Sequence, residues 1–62
     1  MEDEGFIDDD MIQDVAREYV GRYGLGSIEL IKERAKIAKE AGDFLSAQAW
    51  QDIASAAERI LS

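Results

Sequence analysis

Cysteine, histidine and proline are all missing from the 62 residues, and the aromatics amount to one tryptophan, two tyrosines and two phenylalanines. Without cysteine there is neither a disulfide nor a thiolate metal site, and without histidine the commonest metal ligand and the usual general base are gone. A reducing, cytoplasmic setting is the expectation. No apolar run approaches the roughly 20 residues needed to cross a bilayer. The opening MEDEGFIDDD is acidic where a secretory signal is basic and then apolar. The chain is therefore expected to be neither exported nor inserted in a membrane. A domain of this length buries only about 60% of the surface its unfolded form exposes. With disulfide and metal staples removed, its remaining supports are well-formed helices and association with another chain, a second copy included.

What is present is charge, unevenly placed. The formal net charge is -7, and Glu2, Asp3, Glu4, Asp8, Asp9, Asp10 and Asp14 bring seven acids and no base to the first fourteen residues. From Val15 onward acids and bases balance, so that part is neutral and the first fourteen residues hold the net charge. Apolar residues recur at three- and four-residue spacing from Met11 to the end, without period-two alternation. The pattern predicts an all-α, compact three-helix bundle with helices at about 8–23, 27–41 and 44–61, preceded by a mobile acidic arm over 1–7. The first helix gathers Met11, Ile12, Val15, Ala16, Tyr19, Val20 and Tyr23 on one half. The second gathers Ile28, Leu30, Ile31, Ala35, Ile37, Ala38 and Ala41, and the third a broad alanine-rich arc containing Ile53, Ile60, Leu61 and Trp50.

The joints carry turn chemistry. Gly24 is expected to stop the first helix in the left-handed conformation and Ser27 to cap the second. Gly42 is expected to end the second helix in the same way, and Asp43 or Ser46 to cap the third. The glycines around RYGLGSIEL imitate a phosphate cradle, but no strand precedes them and no lysine follows the last glycine, so the stretch reads as a turn. Arg34 falls inside the apolar half of its helix, which predicts an ion pair, a snorkelling stem or a contact with a partner. Trp50 is expected to anchor the core, because it brings the large apolar area that a core of alanines lacks.

The stretch AGDFLSAQAWQDIASAA, with Gly42, Asp43, Phe44, Ala47 and Ala54 in place, resembles one tetratricopeptide helical hairpin. Its large aromatic, Trp50, falls one position early, and the chain has room for a single hairpin where a solenoid stacks about three. The whole chain also resembles small all-helical proteins of alphaproteobacteria, through its Tyr-Gly turn, ERAKIAKEAGD and AQAWQDIASAAERIL. That resemblance implies a bacterial, cytoplasmic helical bundle and carries no activity to particular residues.

These readings exclude several functions. Catalysis is not expected, since the clustered acids Asp8, Asp9, Asp10 and Asp14 lie where water keeps them ionised. The acid run lacks the glycine and glutamate of a calcium loop, and no cofactor or metal is expected. The Ala38-to-Gly42 spacing matches a helix-turn-helix. Its would-be recognition helix, from Asp43 to Glu58, has no lysine or arginine, so direct nucleic-acid binding is not expected. What remains is a protein-interaction or regulatory module acting through an apolar helical face, with a homodimer through leftover apolar surface on the first and third helices as one form and Tyr19, Tyr23, Arg34 and Leu61 as contacts. The alternative is an acidic inhibitor or nucleic-acid mimic whose arm, with Phe6 and Ile7 among its acids, docks on a basic partner.

Overall fold

A computed structural model describes residues 9–62, which form three α-helices: α1 (Asp9–Tyr23), α2 (Gly26–Glu40) and α3 (Phe44–Leu61). Among the described residues there is no strand. The expected arm over 1–7, with Phe6 and Ile7, lies outside the described residues.

Two glycines end the first two helices, each by a different hydrogen-bond pattern. Gly24, at φ 61°, donates its N–H to the Val20 carbonyl at 2.8 Å. This single bond closes the last turn of α1, and only Leu25 then separates Gly24 from α2. Gly42, at φ 81°, donates to the Lys39 carbonyl, and Asp43 donates to the Ala38 carbonyl at 2.9 Å. That pair is a Schellman closure, which satisfies carbonyls that the end of a helix otherwise leaves open. Asp43 then caps α3. Its side-chain carboxylate accepts from the Ser46 N–H at 3.2 Å. Hydrogen bonds from the Ser46 side chain, and then from its backbone, hold the Asp43 carboxyl below the usual carboxylate range.

Ser27 departs from its expected role. Helix α2 begins one residue earlier, at Gly26, with Leu25 already in right-handed helical geometry at the cap position and no side-chain cap. The tight turn at Gly24 is the reason. The Gly24 carbonyl takes the Ser27 N–H at 3.0 Å, so the backbone itself supplies the closure that a serine cap would have made. Ser27 becomes a helical residue, fully buried, with no hydrogen-bond partner for its hydroxyl among the described residues.

The core is small and built for close approach. Ile12, Ala16, Ile31, Ile53, Ala54, Ala56 and Ala57 form its buried centre, and Val15, Tyr19, Val20, Ile28 and Trp50 pack around it partly exposed. Helix α3 sits between the other two: it packs on α2 and on α1, which touch each other little. The resulting body is flattened, 32 × 29 × 16 Å. Alanines at Ala54, Ala56 and Ala57 let both neighbours approach the α3 backbone, and this is why the central helix carries the smallest side chains.

Candidate interaction surface

The flattened arrangement leaves part of each predicted apolar half uncovered. On α2 the buried row is Ser27, Ile31 and Ala35. Leu30, Ile37 and Ala41 fall within about 40° of one another on the neighbouring flank, where neither α1 nor α3 reaches. Leu30 is 42% exposed and Ile37 53%. Beyond the Gly42 turn, Phe44 (67%) and Leu45 (78%) at the start of α3 are exposed as well. Arg34 borders this flank, exposed, on the side of the buried row. The intramolecular ion pair expected of it is not found among the described residues, where the ion pairs are Arg17–Asp14 at 3.3 Å and Arg22–Glu18 at 3.5 Å. Both of those are exposed pairs within α1 and contribute little to stability.

The fold divides the other residues that the sequence suggests as contacts. Tyr19 packs between Tyr23, a tilted ring with centroids 5.7 Å apart, and Trp50, which meets it edge-on at 5.9 Å. Tyr19 is thereby spent on joining α1 to α3, and Leu61 is likewise partly buried. Tyr23 remains half exposed at the end of α1. Trp50, expected at the centre of the core, stands at its rim, partly buried, and lines a shallow apolar groove with Met11, Val15, Ala49 and Ile53. The indole is too large for the close α3 contacts, which alanines make instead.

Phe44 and Leu45 carry no signal in the sequence that assigns them to the surface. They open α3, before helical periodicity has a full turn over which to show itself, so their direction depends on how α3 leaves the Gly42 turn. Periodicity puts Leu30 and Ile37 on the apolar half, and only the positions of α1 and α3 reveal that this half is wider than its cover.

The described carboxylates from Asp10 onward are all exposed. Among the described residues no group of three or more acidic, histidine or cysteine side chains is arranged to hold a metal ion. None of the described helices is long and apolar enough to cross a membrane. The fold thus defines a small all-α scaffold whose distinguishing feature is uncovered aliphatic surface. Comparison with protein-family models, curated proteins and solved structures returns no match. The resemblances to alphaproteobacterial helical proteins and to a tetratricopeptide hairpin accordingly rest on their sequence motifs alone.

Proposed function

We propose that this chain is a non-catalytic protein-interaction module that works through the uncovered flank of α2 and takes a second copy of itself as partner. The observation that carries this reading is the pair Leu30 and Ile37. Two large aliphatic side chains on one sector of one helix stand about half in water, while the core beside them is built largely from alanine. Covering apolar surface contributes about 25 cal/mol per Å². A domain of this size has few other sources of stability to draw on. Tuned acid–base groups require burial or a charged neighbour, and the exposed carboxylates of the described chain have the wrong surroundings for catalysis. A cytoplasmic, bacterial setting belongs to the same reading, supported by a chain free of cysteine and by its sequence resemblance. The alternative, an acidic inhibitor or nucleic-acid mimic, rests on the charge of residues 1–7, which lie outside the described chain.

Sedimentation at micromolar concentration tests the proposal. The expected result is a dimer that changes little between low and high salt, because apolar contacts are not screened. Leu30→Asp with Ile37→Asp alters only exposed positions, so the fold is retained and the dimer is lost. A monomeric parent protein at both salt concentrations refutes self-association, and a dimer that survives the double substitution places the interface elsewhere.

A further inference from the structure

On the face of α2 away from Leu30 and Ile37, Lys32, Lys36 and Lys39 rise along one side of a groove of about 460 Å³ between α2 and α3. Ala35 and Ala54 contribute its apolar lining, and Glu58 is the one acid there. None of the three lysines has an ion-pair partner among the described residues. Glu29, Glu33 and Glu40 sit on the next sector of α2 and do not line the groove. A locally basic groove is therefore built into a chain whose net charge is -7.

We propose that this groove is a docking site for an acidic peptide segment and that its occupant is the chain's own N-terminal segment, residues 1–8. Charge complementarity is the first argument. Glu2, Asp3 and Glu4 are three consecutive acids, and Lys32, Lys36 and Lys39 are three cations spaced along two turns of one helix face. Reach is the second. Ile12 and Gln13, in the first turns of α1, share a cleft with Ser55 and Arg59 of α3, and Ser55 also lines the lysine groove. The path from the start of α1 to the lysines therefore crosses a single helix, about 10–12 Å wide with its side chains. Glu4 and Glu2 lie five and seven residues before the start of α1, and extended chain of that length spans about 16–23 Å, more than the width of that one helix.

Tethering makes a weak contact sufficient. A short tether gives an effective concentration in the millimolar range, so an intrinsic dissociation constant of the same order keeps the segment docked about half the time. An outside acidic peptide must then compete with the chain's own segment for the lysines. This site is separate from the α2 flank proposed for self-association, and either can fail without the other.

The absence of native cysteine allows a unique spin label. With a nitroxide on Gly5→Cys in the full chain, the amide resonances of Lys32, Lys36, Lys39 and Gln51 are expected to broaden at low salt. Broadening should fall at least twofold at about 0.5 M salt, where screening is only a few ångströms long. The same loss is expected in Lys36→Glu/Lys39→Glu, whose exposed substitutions leave the helical circular dichroism unchanged. Broadening that is insensitive to both salt and these substitutions overturns the proposal. In the Leu30→Asp/Ile37→Asp background, which removes the proposed dimer, broadening of isotope-labelled, spin-free chains mixed with spin-labelled ones also overturns it, because the segment would then come from a second copy.

Discussion

Ser27 is the residue whose chemistry fits its surroundings least well. Its hydroxyl is buried with no protein partner among the described residues, and a buried unsatisfied polar group costs about 1–3 kcal/mol. A small side chain is nevertheless needed there, since Ser27 stands on the same buried row as Ile31 and Ala35. Ser27→Ala keeps the size and removes the unsatisfied group. It is expected to stabilise the domain by about 0.5–1 kcal/mol, raising the melting temperature by several degrees in a domain of this size. Urea denaturation measures the same quantity, and a clear loss of stability would mean that the hydroxyl is satisfied.

At the scale of elements, the turn from α2 to α3 does two separable things. Gly42 reverses the chain at φ 81°, and an added Cβ there would meet no neighbouring atom within 4 Å. The penalty for Gly42→Ala is therefore conformational alone, about 1–2 kcal/mol, and a melting curve should show it as a simple shift without loss of cooperativity. Asp43 supplies the cap and a pH dependence. Its folded-state pKa lies below the unfolded one, so its contribution is fully present above about pH 4 and disappears as pH falls through the lower, folded value. Asp43→Asn is expected to keep most of the stability at neutral pH, because an amide oxygen also caps, and to flatten the acid limb of the stability curve. Asp43→Ala should lower the melting temperature at neutral pH. An unchanged acid limb in Asp43→Asn would assign that limb to other carboxylates.

For the whole molecule, the flattened shape and the alanine-rich centre set the stability. Trp50 is the largest side chain at the α1–α3 junction, yet it is only partly buried. A fully buried tryptophan costs about 3–5 kcal/mol on truncation, so Trp50→Ala is expected to cost less, about 2–3 kcal/mol. For a single small core, that is a large share of the total. Equilibrium denaturation of the variant should show a mostly unfolded chain at modest urea, and an unshifted midpoint would reduce the Tyr19–Trp50 contact to surface decoration. The same shape explains why Leu30 and Ile37 remain exposed: one central helix can screen only part of each neighbour's apolar half.

The sequence by itself determined the number of helices, their limits to within about one residue, and the two glycine joints. Those properties depend on neighbours three to six positions apart: the spacing of Ile12, Val15, Ala16 and Tyr19, the left-handed freedom of Gly24 and Gly42, and the short reach of the Asp43 carboxylate to Ser46. The tertiary structure alone decided which part of each apolar half is core and which is surface. Leu30 and Ile31 are equally apolar and adjacent in the chain, yet one stands 42% exposed and the other is fully buried. Periodicity gives a helix its apolar face, but the width of that face which is covered depends on where the partner helices lie, and that depends on contacts distant in sequence. The displacement of Trp50 to the rim, the burial of Ser27 and the meeting of Lys32, Lys36 and Lys39 with Ala54 across one groove have the same origin, because each is a relation between helices.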